Sequence, residues 1–227
     1  MQKIDQAEIR TIDITSTIIP PEEPFGPDQI STRVLNESLI YPLKKYQLAI
    51  DDSTYLMVTL KSHLGTHVEC PNHLLPNGKD ITEFPVETWF GRMVFFKFDL
   101  PPQTPITRNH LIEMDQGRLK GKDIVLLHST ATKKDEVPQL TPEVGHYFLE
   151  KKVKMVGFDS SIGFALPAKG NTHDILLENN VPLLEWVINL DKLQQDVSYL
   201  ISLPGLKVKG MNASPVCAVV LEGMEVR

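Results

Sequence analysis

Seven short segments of this chain are rich in β-branched, aromatic and aliphatic residues, and several are apolar without a break. They are IRTIDIT (9–15), YLMVTLKS (55–62), RMVFFKFDL (92–100), DIVLLHS (123–129), KMVGFD (154–159), YLISL (199–203) and PVCAVVLEG (215–223). A strand with one solvated face alternates apolar and polar residues, whereas an unbroken apolar run needs cover on both faces. Gly, Pro or Asp bounds most of these segments, as strand ends require. The chain must therefore build a sheet with material packed on both sides.

Helices supply part of that cover. TRNHLIEMD (107–115) opens on Thr107 as N-cap. TPEVGHYFLEKK (141–152) has Thr141 as cap, Pro142 at the first helical position, Glu143 in the first turn and lysines at its end. THDILLENN (172–180) has Thr172 as cap and stops at Asn179-Asn180, with Pro182 just beyond. The proline-rich stretch TSTIIPPEEPFGPDQISTRV cannot form regular ladders and reads as a long ordered loop. With 227 residues and 41% hydrophobic content, the chain can bury a sizeable core. The expectation is one mixed α/β domain, 1–227, dominated by strands.

Charge and cysteine usage narrow the partners. A net charge of −6 disfavours nucleic acid or an anionic membrane surface. No apolar run approaches the roughly 18 residues of a membrane span, and the N-terminus lacks an apolar core of signal-peptide length. The two cysteines, Cys70 and Cys217, make no disulfide framework, which fits a reducing compartment. A soluble, cytoplasmic protein acting on a small molecule is expected.

Chemistry concentrates in His63-Leu64-Gly65-Thr66-His67-Val68-Glu69-Cys70-Pro71-Asn72-His73. In a regular strand His63 and His67 would lie roughly 13 Å apart, too far to share an ion. A helix is disfavoured by Gly65, Thr66, Val68 and Pro71. If both histidines hold one metal, the chain must bend between them, and Gly65 permits the bend. A strand ending near Ser62 followed by a tight ligand-bearing loop is the implied arrangement. Two imidazoles and a carboxylate suit zinc, manganese or iron(II), and three protein ligands leave a position for water, as in catalytic sites. His73 can ligate or act as a general acid/base. Cys70 reads as a small buried residue.

A second cluster lies in GFDSSIGFALPAKGNTHDILLENNVPLLEWVINLDKL (157–193). Asp159 ends an expected strand, where ligands often bind in open α/β sheets. His173 and Glu185 are twelve residues apart, about 18 Å in one straight helix. Pro182 stops that helix, so the chain can turn Glu185 back. His128, at the end of IVLLHS, is a candidate outer partner for a ligand. His110 and His146 read as surface or packing residues. Phe25, Tyr41, Tyr46 and Trp89 are candidate aromatic walls for a substrate.

These motifs resemble the cyclase-type metal-dependent hydrolase family, which includes bacterial kynurenine formamidase and isatin hydrolase. The family hallmark is H-x-G-T-H-x-D-x-P-x-H. Asp159-Ser160-Ser161-Ile162, His173 with Leu176-Leu177, Glu185 and Leu190-Asp191-Lys192-Leu193 follow the family's order and spacing. The resemblance covers most of the chain. It implies an α/β fold around a β-barrel-like core flanked by helices, assembled as a homodimer or homotetramer. It implies one or two Zn or Mn ions: His63, His67 and Glu69 on the first, and Glu69, His173 and Glu185 on the second. His73 would be the proton shuttle.

The activity implied is hydrolysis of an amide C–N bond, in an N-formyl or cyclic amide, by metal-activated water. The alternatives are a metal-binding, non-hydrolytic carrier and a metal-dependent cyclase or dehydratase. One residue departs from the hallmark: Glu69 stands where the family has aspartate. Its extra methylene leaves three possibilities open, namely bridging from a shifted backbone, a single ion, or a subgroup with another substrate.

Overall fold

The apolar segment 92–100 forms β5 (Phe90–Phe98), and the sheet changes character around it. On one side β5 runs parallel to β6 (Ile124–Ser129), which runs parallel to β7 (Met155–Phe158), and that in turn to β8 (Leu183–Glu185). On the other side β5 pairs antiparallel with β9 (Val197–Ile201), β9 with β11 (Val219–Glu222), and β11 with β1 (Arg10–Asp13). Beyond β8 come antiparallel β4 (His67–Glu69) and then β10 (Ala213–Pro215). The nine-stranded order is β1-β11-β9-β5-β6-β7-β8-β4-β10. A separate hairpin pairs β2 (Lys44–Gln47) with β3 (Thr54–Met57).

The computed structural model describes residues 9–18, 44–47, 54–57 and 61–224. Residues 19–43, including most of the proline-rich stretch with Phe25 and Tyr41, lie outside the described residues. All seven expected strand segments contain a strand. Segment 55–62 holds β3 to Met57, and Ser62 already sits in a bend. Segment 215–223 is interrupted at Val216–Ala218, between β10 and β11.

The sheet curls because its two apolar faces have different cover. One core unites Ile12 and Ile14 from the β1 end with Val68, Phe95, Leu126, Leu184, Leu200 and Val220. Residues from both ends of the strand order thus share one interior, which requires a half-barrel. A backbone bond crosses the gap, Ile188 N–H donating to Ile14 O at 3.0 Å, while Ile14 N–H to Ala218 O and Val216 N–H to Thr66 O, both 3.0 Å, extend the β1–β11 and β10–β4 pairings toward it. The opposite face packs Val94, Phe96, Val125, Leu127 and Leu183 under α1 (Arg108–Asp115), α2 (Pro142–Glu150) and α3 (Thr172–Glu178). Each such fully buried side chain contributes about 1.5–3 kcal/mol. Trp89, a candidate substrate wall in the sequence, is buried in the inner core against Phe84. Among the described residues no helix is long and apolar enough to cross a membrane.

Thr107 is the N-cap of α1, as expected, and His110 adds to the cap, its ring nitrogen accepting from Thr107 N–H at 3.2 Å. The start of α3 differs from the sequence expectation. In α3 the cap is Asn171, whose side chain accepts from Asp174 N–H at 2.9 Å. Thr172 is instead the first helical residue, its hydroxyl donating to Thr141 O at 2.9 Å.

The centre of the parallel segment tolerates no side chain at Gly157. A Cβ there would lie 2.6 Å from Leu126 Cδ2 and 3.1 Å from Leu184 O. Gly157→Ala is expected to lower stability by about 1–3 kcal/mol. Urea denaturation checks this: the midpoint falls, with an unchanged slope.

Candidate metal centre

The bend anticipated at Gly65 is present. Gly65 has φ +57°, a left-handed conformation that favours glycine, and a Cβ there would meet Ser16 Oγ at 2.9 Å. The bend is held from both sides. Ser16 N–H donates to Thr66 Oγ1 at 2.8 Å, Thr66 N–H to Ser16 Oγ at 2.8 Å, and the Thr66 hydroxyl to Trp186 O at 2.8 Å. After the bend, His67–Glu69 do not remain in a loop; they re-enter the sheet as β4, with His67 opposite Glu185. Sequence pattern missed the three-residue strands β4 and β8, because neither is long enough to show a period. The Ser16–Thr66 lock was equally hidden, since it joins residues fifty apart.

Glu69 sits at the focus. Its Oε2 faces His63 Nδ1 at 3.3 Å and His67 Nε2 at 3.9 Å. Its Oε1 faces His173 Nε2 at 3.0 Å and His73 Nε2 at 3.4 Å. Glu185 completes the group, Oε2 lying 3.8 Å from His67 Nε2 and Oε1 3.8 Å from His173 Nε2. All six residues singled out in the sequence therefore converge. The tightest sets are His63, Glu69 and His73, and His67, Glu69 and Glu185. They cut across the sets that the family pattern implies.

The donor set fits a divalent cation. Three buried atoms, His63 Nε2, His67 Nε2 and Glu185 Oε1, have no hydrogen-bond partner. Leaving such atoms unmatched is costly, and an ion removes the cost. His67 Nδ1–H donates to Gly65 O at 2.8 Å, which turns the Nε2 lone pair inward, as a ligating histidine needs. Ligand bonds of about 2.1 Å in a tetrahedral shell put neighbouring donors about 3.4 Å apart. The observed separations of 3.3, 3.8 and 3.9 Å are close to that edge.

Electrostatics agrees. Burial holds the His67 imidazole down at about 4, so it is neutral at pH 7. Burial pushes Glu185 up, and the nearby Glu69 carboxylate pushes the same way. Burial would also raise Glu69, but hydrogen bonds from His173 and His63 outweigh it and keep Glu69 ionised. His73 is lowered, chiefly by burial, with Glu69 opposing. Without a cation, burial and the Glu69 charge together favour the protonated form of Glu185.

Other candidates lie elsewhere. Asp159 is not brought to the histidines; its Oδ2 accepts from His128 Nδ1 at 2.6 Å and its Oδ1 from Ser161 N–H at 2.9 Å. His128 accordingly has Asp159 as partner rather than a member of the cluster. Cys70 is buried in the inner core, and burial pushes its thiol up to about 12, which makes it inert. Phe164, unnoticed in the sequence, stacks on His173 with ring centroids 5.6 Å apart.

Residues 12–161 match the family model described as "Putative cyclase". The chain belongs to this cyclase family. The kynurenine formamidase of Bacillus thuringiensis subsp. konkukian is 27% identical over 169 residues, covering 72% of this chain and 78% of that protein. The kynurenine formamidase of Bacillus cytotoxicus is 28% identical over the same shares. Among solved structures, isatin hydrolase A from Labrenzia aggregata, bound to benzyl benzoate, superposes with a TM-score of 0.71 at 20% identity, covering 95% and 94% of the two chains. An isatin hydrolase bound to the product analogue thioisatinate gives 0.72 at 20%, covering 94% and 92%. The α/β half-barrel is thus the fold of this family.

Cation uptake should expel the Glu185 proton. Adding Zn²⁺ or Mn²⁺ to metal-stripped protein at pH 7 is expected to raise the unfolding temperature and release protons, read by calorimetry in buffers of different ionisation enthalpy. His67→Ala should abolish both effects.

Proposed function

We propose that this protein is a metal-dependent hydrolase that cleaves an amide C–N bond, in an N-formyl or cyclic amide. One observation carries the reading: a buried carboxylate, Glu69, with imidazoles against both oxygens, beside buried unpartnered atoms of His63, His67 and Glu185. The kynurenine formamidases and isatin hydrolases that the chain resembles support the same chemistry.

In this reading His63, His67, Glu69, His173 and Glu185 hold the metal. A divalent ion there would supply Lewis acidity toward the amide carbonyl and toward water near neutral pH. Two ions would share Glu69, whose Oε2 faces His63 and His67 and whose Oε1 faces His173 and His73 from its place in β4. Zinc and manganese both suit imidazole and carboxylate donors.

His73 is the proton shuttle. Its side chain is 37% exposed, the most open of the four clustered histidines, and its Nε2 lies 3.4 Å from Glu69 Oε1. Its lowered pKa leaves a neutral imidazole at pH 7 that can take a proton from water and return it to the leaving nitrogen. Asn212 Nδ2, 3.5 Å from His73 Nδ1, steadies the ring. The whole chain, 1–227, acts as one catalytic domain.

A cytoplasmic location is supported by the free thiols of Cys70 and Cys217. Assembly as a homodimer or homotetramer is supported by the exposed apolar residues Leu203, Leu206 and Val208, close together in sequence.

The test is to supply Zn²⁺ or Mn²⁺ and assay N-formylkynurenine, isatin and simple lactams. Hydrolysis of at least one is expected. His73→Ala should lower kcat by about 10²–10⁴-fold at unchanged metal content. Turnover that survives His73→Ala intact removes the shuttle, and full metal occupancy after His63→Ala with His67→Ala removes the site.

A further inference from the structure

Thr66 joins three parts of the chain through one hydroxyl and its own N–H. The hydroxyl has a single proton, and Trp186 O, at 2.8 Å, is the nearer of the two acceptors in reach. The Ser16 hydroxyl, 3.1 Å away, therefore donates to Thr66 Oγ1, beside the Ser16 N–H that reaches the same oxygen at 2.8 Å. Thr66 N–H donates in return to Ser16 Oγ at 2.8 Å. With one bond donated and two accepted, Thr66 Oγ1 is saturated, and Ser16 supplies both donors.

Both ends of this contact border metal-site residues. Thr66 precedes His67, Trp186 follows Glu185, and His67 and Glu185 face each other in the β4–β8 ladder. The Gly65 carbonyl that orients the His67 ring belongs to the same bend, and Ser16 Oγ fills the space beside Gly65 that a Cβ would need. Trp186 has φ +57°, a region that bulky residues avoid, and the Thr66 hydroxyl holds its carbonyl there. The indole is 44% exposed, so its own packing does not set that backbone.

Ser16 reaches the bend from the end of β1. Ile14 seats this segment by donating to Ala218 O and accepting from Ile188 N–H. Thr66 is buried, so without the Ser16 oxygen its N–H has no partner, and the bend must shift to find one. Every group in the contact is neutral, which makes it a geometric link rather than a charge effect.

We propose that Ser16 is a positioning residue of the metal centre, and that ion uptake and the seating of residues 14–16 form one linked equilibrium transmitted by Thr66. The proposal rests on the metal-dependent reading of the site. Ser16 acts on His67 through the Gly65 bend and on Glu185 through the Trp186 carbonyl. Linkage is reciprocal: the factor by which Ser16 raises ion affinity is the factor by which the ion tightens the seat of Ser16.

The test measures Zn²⁺ and Mn²⁺ affinity of metal-stripped protein by competition with a chromogenic chelator. Ser16→Ala and Thr66→Val should each weaken binding by about tenfold. Thr66→Ser, which keeps the hydroxyl, should bind within about twofold of wild type. The double variant, Ser16→Ala with Thr66→Val, should lose little more than either alone, because both remove one contact. Asp115→Asn disturbs a buried cluster between α1 and α2, where Asp115 accepts from Tyr147 Oη and Lys151 Nζ, both at 2.7 Å. It should lower the unfolding temperature and leave ion affinity unchanged.

The reverse direction is read by hydrogen exchange. Zn²⁺ should slow exchange at the Ile14 and Ser16 amides of wild type by about tenfold, and leave them unchanged in Thr66→Val. The wild-type arm decides the matter even where a variant fails to fold. Uptake by wild type, with affinity unmoved in Ser16→Ala and Thr66→Val or exchange unmoved at Ile14 and Ser16, overturns the proposal and leaves the metal-dependent reading standing. Wild type that takes up no ion overturns both.

Discussion

The buried carboxylate of Glu69 is the interaction on which the centre depends. It lies in β4, a strand of three residues held between β8 and β10, with its two oxygens turned to different imidazoles. A charge in such a place is tolerated only when its neighbours compensate it. Hydrogen bonds from His173 and His63 do so for Glu69, and the consequence passes to Glu185, which is then driven toward its neutral form. A divalent cation there would let both carboxylates be ionised together.

The half-barrel exists to bring those groups together. His63 and His67 come from one bend, Glu185 from the neighbouring strand, and His173 from the first turn of a helix on the outer face. The bend is not self-supporting. Ser16, just past β1 at the far end of the strand order, exchanges hydrogen bonds with Thr66, which in turn holds Trp186 O. Closing the curl of the sheet and shaping the ligand loop are therefore one event, and the strain at Trp186 is maintained by that same contact.

Much of this was legible in the sequence. The unbroken apolar runs around Phe95, Leu126 and Val156 announced strands covered on both sides, and each is buried as expected. Spacing arithmetic called for a bend at Gly65 if His63 and His67 share an ion, and the bend is present; His63, His67, Glu69 and His73 from the histidine motif lie together with His173 and Glu185, which the family resemblance had singled out. What the sequence could not display was short or distant. β4 and β8 have too few residues for periodicity. The α3 cap moved by one residue because the Asn171 amide outcompetes the Thr172 hydroxyl, which bonds Thr141 O instead. Asp159 looked like a ligand at a strand end, yet it serves His128, because successive strand residues face opposite ways and Phe158 takes the metal side. The positive φ of Trp186 has no sequence signal at all, since tryptophan is among the residues least expected there.

The central claim is that Glu69 shares a divalent ion, or two, with the imidazoles around it and with Glu185. Anomalous diffraction from crystals of zinc- or manganese-loaded protein tests it most directly. A peak is expected within about 2.0–2.3 Å of a Glu69 oxygen and of the inward nitrogen of His67, with any second peak between Glu69 and His173. A saturating peak elsewhere in the molecule, or a cluster without anomalous signal in metal-saturated crystals, would contradict it.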